Sequence, residues 1–212
     1  MRRIIQALLL TGLVFLSDLR FLKGGKEMKI GFISDTHGDP SAWEKALRAF
    51  GDVDLVLHAG DVLYHGIFNP ITENYNPRKL VELINSFRIP LLFARGNCDS
   101  EVDQLALDHH ILSDFAFASA GGLKILVTHG HKAGEEEILR IATRSGISIV
   151  HRGHSHIPEI RVVEGVVFLN AGSCSLPKQD DEKPTVAILE DESIRVIDID
   201  SGEVLIKGEL PG

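Results

Sequence analysis

Five short apolar runs in this chain each end in His, Asp or Asn, and that recurrence constrains the fold more than any other feature. The polar ends are SDTH (34–37), GDV (60–62), RGNCD (95–99), THGH (128–131) and RGHSH (152–156). The runs before them, 29–34, 54–59, 90–94, 123–128 and 147–151, are nearly continuous in apolar residues, as strands covered on both faces are. In open α/β sheets, ligands bind in the crevice beyond the carboxyl ends of the strands. Polar residues far apart in the sequence are therefore expected to converge on one place.

Between these runs, 41–50, 77–88 and 134–145 carry apolar residues at three- and four-residue spacing, with Ser41 and Pro77 as helix-start residues. Strands alternating with helices predict an α/β fold in which the five strands form the buried sheet. After His156 the pattern changes to short alternating strands joined by turns such as Glu164-Gly165 and Ser201-Gly202, with no helix. A chain of 212 residues has room for one well-buried core, and residues 28–212 contain no repeat, low-complexity tract or linker.

The convergent residues offer carboxylate oxygen (Asp35, Asp61), amide oxygen (Asn97) and imidazole nitrogen (His37, His129, His154, His156). A nitrogen and oxygen set without thiolate suits Mn, Fe, Ni or Zn. Two such ions about 3.5–4 Å apart need a bridging carboxylate, and a hydroxide held between them is a nucleophile at neutral pH. The net charge of -8 excludes a broad electrostatic grip on long nucleic acid, because that grip needs clustered Lys and Arg. Bound cations would supply the local positive charge for a small phosphate ester.

In order, the segments resemble the D-x-H, G-D, G-N, strand-end His and G-H-x-H motifs of the calcineurin-like metallophosphoesterases. GDVLYHG (60–66), RGNCDSEVDQ (95–104) and THGH narrow the resemblance to the small bacterial phosphodiesterases of the YfcE type, over most of residues 28–190. The resemblance implies a single-domain, four-layer α/β/β/α sandwich. It also implies a first metal on Asp35, His37 and His156, a second on Asn97, His129 and His154, and Asp61 bridging. Asp61, Asn97 and His129 would then be catalytic residues, Mn the foremost of the metals, and in-line attack on a small phosphodiester the reaction. Self-association into a homo-oligomer is a further expectation, since similar enzymes associate.

Cys98 stands where much of the broader family has a His that protonates the leaving group. A thiol with an ordinary pKa of about 8.5 suits that task badly, which favours diesters with good leaving groups over monoesters. His65, Cys98 and His131 are candidate substrate contacts. Asp99 is expected to brace the loop, Asn170 to shape a turn near the site, and Trp43 to face the core. His58, His109, His110 and His151 are expected at the surface or in packing, and Arg95 and Arg152 either attract phosphate or anchor loops to carboxylates. Two other readings stay open: a phosphomonoesterase or protein phosphatase of the same fold, and an interaction module without enzyme activity.

Arg2, Arg3 and the apolar run Ile4–Leu16 look like the start of a signal peptide, but the run is short of the about 20 residues a membrane span needs. No small-x-small cleavage site follows, and Met28 opens a strand directly, so residues 1–27 are expected to be a doubtful extension. Two remote cysteines, Cys98 and Cys174, suggest a reducing compartment. The expected location is the cytoplasm, with export as the alternative.

Overall fold

The computed structural model of the chain describes residues 13–16 and 28–211. Of the signal-like segment, only Leu13–Leu16 falls within this range, as strand β1; residues 1–12 and 17–27 lie outside the described residues. The remaining strands are β2 (Ile30–Ile33), β3 (Leu55–His58), β4 (Leu91–Phe93), β5 (Phe115–Ala120), β6 (Leu123–Thr128), β7 (Ile149–Arg152), β8 (Glu159–Val163), β9 (Val166–Asn170), β10 (Thr185–Glu190), β11 (Ser193–Asp198) and β12 (Val204–Glu209). The helices are α1 (Pro40–Phe50), α2 (Pro77–Ser86), α3 (Glu101–Ala106) and α4 (Glu135–Ser145).

The strands form two six-stranded sheets rather than one, in the orders β1-β5-β6-β7-β9-β8 and β12-β11-β10-β2-β3-β4. This corrects the single buried sheet expected from the apolar runs: β2, β3 and β4 pair in parallel in one sheet, while β6 and β7 pair in parallel in the other. Apolar periodicity reports that both faces of a strand are covered, and says nothing of which neighbour supplies the cover. Here Ile30, Phe32, Leu55, Leu57, Ile125, Val127, Ile149 and Leu169 fill the core between the sheets. Ile33, Val56, Leu91 and Phe93 face the other way, onto α1 and α2, where Trp43 is fully buried. On the far side, Leu126, Val150 and Phe168 pack with Ile138 and Ala142 of α4. The result is the four-layer α/β/β/α sandwich.

Local chemistry sets the helix ends. Asp39, not Ser41, caps α1: its carboxylate accepts the Ala42 N–H at 3.0 Å, and Pro40 occupies the first turn, where no N–H is needed. Helix α2 starts at Pro77 under an Asn76 cap but ends at Ser86, two residues short of expectation, because Phe87 takes an extended conformation. Helix α3, unmarked by apolar periodicity, buries none of its residues and is held by a Ser100–Asp103 capping box. The turn at Glu164-Gly165 has two successive left-handed residues, joining β8 to β9 as a tight hairpin. No helix among the described residues is long and apolar enough to cross a membrane.

Candidate metal centre

The carboxyl ends of β2, β3, β6 and β7 bring their loops to one edge of the sandwich, where the two sheets touch. His129, just past β6, reaches across to the other sheet and places Nδ1 2.8 Å from the Ala59 carbonyl. Two motif glycines are required by this closeness. A Cβ on Gly96 would overlap the carboxylate and amide of Asp61, and one on Gly153 would overlap Ser34 Oγ and Asp35 Oδ2.

Asp35, His37, Asp61, His154 and His156 all hold a left-handed backbone, with φ between 42° and 70°. Residues with a Cβ seldom adopt it, and clusters of such strain mark functional sites. The turn after β9 helps to hold them in place. Ser173 and Ser175 both donate to the Asp35 carbonyl, at 2.8 and 2.9 Å, and Asn170 Nδ2 donates to the Gly153 carbonyl at 2.9 Å. Neither serine is marked by sequence pattern beyond its place in or beside NAGS.

Three imidazoles are locked in one orientation. His37, His129 and His156 each direct Nδ1 at a backbone carbonyl, of Tyr64, Ala59 and Leu176 respectively. Donation of Nδ1–H there turns each Nε2 inward, where the neutral ring offers a lone pair. His37 Nε2 and His156 Nε2 face each other at 3.3 Å, and His129 Nε2 faces Asn97 Oδ1 at 3.1 Å. The carboxylates complete the set. Asp35 Oδ2 accepts from Ser34 Oγ and the His154 amide, whereas Oδ1 is buried with no hydrogen-bond partner, 3.3 Å from His156 Nε2 and 3.7 Å from His37 Nε2. Asp61 Oδ2 lies 3.4 Å from His129 Nε2 and 3.8 Å from His37 Nε2, between the two groups.

Acceptors packed against acceptors with an orphaned carboxylate oxygen among them is an arrangement that cations resolve. Asp35, His37 and His156 form one group with ligand atoms within 4.8 Å of one another, and Asp35, Asp61 and His129 form a second. The residues therefore fit divalent metal. The electrostatics show which proton an ion must displace, since at neutral pH His129 Nε2 carries one toward Asp61. Burial opposes the charge on His129, yet the Asp61 and Asp35 carboxylates raise its pKa to about 9. Burial likewise opposes ionisation of Asp35, but His156 and His37 hold its carboxyl well below the usual range.

The remaining candidates divide. Asn97 and His154 are exposed, with the His154 ring 5.1 Å from that of His129. Cys98 sits beside His37 and Asp61, and burial together with the Asp61 charge pushes its thiol up to about 12. His131 stacks near His129 and His154, at 5.3 and 6.2 Å between ring centres. His65 instead packs between Tyr64 and Tyr75, at 4.5 and 5.3 Å. Asp99 is a brace: it accepts the amides of Asp61, Val62 and Gly96 at 3.0, 2.8 and 2.7 Å, tying the GD loop to the GN loop.

His58 and His151 are fully buried, and His109 and His110 half-buried. Arg152 anchors to Glu135 and Glu159 at 3.3 and 3.2 Å.

Comparison with known proteins points the same way. Escherichia coli phosphodiesterase YfcE is 33% identical over 178 residues, covering 79% of this chain and 95% of YfcE. A phosphodiesterase of Methanocaldococcus jannaschii is 30% identical over 156 residues, 69% of this chain and 84% of that one. The YfcE structure superposes with a TM-score of 0.76 at 29% identity, over 87% of this chain and all of YfcE. Vacuolar protein sorting 29 from Cryptosporidium parvum, at 19% identity and a TM-score of 0.63, covers 88% of this chain and all of that one, and shares the fold. The family model of the calcineurin-like phosphoesterase superfamily domain matches residues 28–193, a span that holds every residue of the centre, and the chain belongs to that superfamily.

Proposed function

We propose that the protein is a metal-dependent phosphodiesterase acting on small phosphodiesters. The observation that carries the reading is the convergence of inward-facing Nε2 atoms and carboxylate oxygens in a set that divalent ions can bind, together with the YfcE and M. jannaschii phosphodiesterases as relatives. Asp35, His37 and His156 would hold one ion, Asn97, His129 and His154 a second, and Asp61 both. Divalent ions there supply Lewis acidity toward phosphoryl oxygens and lower the pKa of bound water. The chain's own part is to fix the tautomers through the Tyr64, Ala59 and Leu176 carbonyls, and to orient Asp61 through the Cys98 amide, 2.8 Å from Asp61 Oδ1. Imidazole and backbone donors on the rim would steady charge on the phosphate.

Manganese is the proposed metal, on the nitrogen and oxygen donor set, with Fe, Ni or Zn as rivals. Free Cys98 and Cys174 support a reducing, cytoplasmic location. A homo-oligomer belongs to the same reading; α3 supports it, with Val102 73% and Leu105 88% exposed. Sedimentation tests that part.

Turnover of an aryl phosphodiester against the matching aryl monoester, in protein stripped by chelator and then restored with Mn, tests the function. Activity is expected only after restoration, chiefly on the diester, and Asp61→Asn is expected to nearly abolish it. Full activity in metal-free protein would overturn the reading.

A further inference from the structure

Beside the metal centre the chain builds a turn that the fold itself does not explain. The Asn69 amide bonds to the Gly66 carbonyl at 3.3 Å, and Asn69 Nδ2 donates to the His65 carbonyl at 2.8 Å, closing a turn whose two central residues are Ile67 and Phe68. Central turn positions are commonly filled by Gly, Pro, Asn, Asp or Ser. Here Ile67 is 77% and Phe68 98% exposed, with Ile71 at 63% and Tyr64 at 39% beside them. Large apolar side chains held out in water by a defined turn mark a binding surface.

The base of this turn is joined to the centre. The Tyr64 carbonyl faces His37 Nδ1 at 2.8 Å, and a Cβ on Gly66 would stand 3.1 Å from Cys98 Sγ. No charged residue occurs from Tyr64 to Ile71, in a chain of net charge -8. The flank at His129 and His154 differs in carrying charge: a cleft of about 430 Å³ lined by Arg152, Arg161 and Glu159 together with Ile157 and Pro158. There the arginines pair with Glu135 and Glu159. A phosphodiester carries two substituents, and the centre has a flank without charged residues and one with them.

Resting on the phosphodiesterase reading, we propose that the 66–69 turn, with Tyr64 and Ile71, binds an uncharged aryl or alkyl substituent of the substrate and so sets selectivity between diesters. The turn is joined to His37 through the Tyr64 carbonyl and adjoins Cys98 at Gly66, which favours a substituent of a phosphate bound at the centre as its occupant over a second copy of the chain.

The test uses Mn-loaded protein and two diesters with one leaving group, 4-nitrophenyl phenyl phosphate and 4-nitrophenyl methyl phosphate. Partial burial of a phenyl ring predicts a KM about tenfold lower for the phenyl ester. In the double variant Ile67→Ser, Phe68→Ser that ratio is expected to fall to about one. Calorimetric affinities for phenylphosphonate and methylphosphonate, whose P–C bonds do not hydrolyse, are expected to show the same loss of preference. An unchanged preference in the variant, with both esters turned over, overturns the inference and leaves the phosphodiesterase reading intact. Failure of Mn-loaded wild type to hydrolyse either ester overturns the reading beneath it. Loss of an oligomer or of liposome binding in the variant, with ester preference unchanged, assigns the turn to a partner copy or a lipid surface and also overturns the inference.

Discussion

His37 Nε2 and His156 Nε2 face each other at 3.3 Å while each ring directs Nδ1 at a backbone carbonyl. With both Nδ1–H groups so used, two neutral rings turn lone pairs on each other beside Asp35 Oδ1, which has no hydrogen-bond partner. Burial opposes a charge on His37 but Asp35 raises its pKa, so a proton there competes with an ion. Metal binding is therefore expected to be a stability term, because a ligand that binds only the native state stabilises it in proportion to the logarithm of its concentration over Kd. At a hundredfold excess over Kd the gain is about 2.7 kcal/mol, or about 5–10 °C in Tm for a chain of this size. Differential scanning fluorimetry with and without Mn after chelation measures it. In His156→Ala the shift is expected to shrink to within 2 °C, about the error of such a comparison. An equal Mn shift in both proteins would place the ion elsewhere.

Asp99 joins the two loops that carry Asp61 and Asn97 by accepting three backbone amides. Asparagine keeps only one acceptor oxygen and turns an NH2 toward an N–H, leaving buried donors unpaired. Asp99→Asn is expected to cost about 2–3 kcal/mol of stability by urea unfolding. It is also expected to weaken Mn binding at least tenfold, since supports of ligating groups typically matter by that factor. A variant with wild-type Mn affinity would reduce Asp99 to a folding role.

Cys98 lies beside His37 and Asp61 with its thiol raised to about 12 by burial and by the Asp61 charge. A group that keeps its proton so firmly is neither a nucleophile nor an efficient acid near neutrality. Alkylation by iodoacetamide at pH 7.5 is expected to run at least about a hundredfold slower than for a free cysteine, because the thiolate fraction falls by more than that. Introducing an imidazole by Cys98→His is expected to raise the ratio of aryl monoester to diester turnover about tenfold or more. Mass spectrometry and paired rate assays read the two outcomes. An unchanged ratio would remove Cys98 from the determinants of specificity.

The residues of the candidate centre were legible because strands buried on both faces read as unbroken apolar runs, so the polar residue that stops each run stands out. KIGFIS before Asp35 and LKILVT before His129 are examples. What stayed illegible depends on partners or on small side chains. β5, FAFASA, alternates buried and half-buried residues but offers alanines where a stronger signal would be branched. α3 has six residues and no buried face, so no periodicity could announce it. Division of the strands between two sheets rests on tertiary pairing, as does the choice of Asp39 over Ser41 as cap, which turned on a side chain reaching the Ala42 amide.

His58 and His151 show how much a buried imidazole can hide. Both follow apolar strand residues and read from sequence as surface or packing groups; they are packing groups, fully buried beside the centre. His58 lies between Thr36 Oγ1 at 3.1 Å and the Gly60 amide at 3.0 Å. Thr36 gives its own proton to the Val62 carbonyl, so His58 Nε2 is the donor and Nδ1 the acceptor. His151 Nε2 bonds to the Ile33 carbonyl at 3.1 Å, with its ring edge-on to Phe32. Burial pulls the pKa of His58 down to about 3 and that of His151 to about 4.

Both rings are therefore neutral in the native state at pH values where the unfolded chain, with its ordinary pKa of about 6.5, already takes up protons. Between those limits the unfolded state binds more protons, so stability rises with pH and is lost as pH falls from about 6.5 toward 4. Each ring contributes a slope of up to about 1.4 kcal/mol per pH unit. Asp99, raised to about 6, opposes them over part of the same window, because its contribution is lost as pH rises through that value. The comparison that isolates one ring is wild type against His151→Gln, in which an amide N–H replaces the donor and nothing titrates. Urea unfolding at pH 7.0, 6.0 and 5.0 is expected to show a variant less dependent on pH, by about 1 kcal/mol per unit below pH 6. Parallel pH curves for the two proteins would mean that His151 is protonated in the native state.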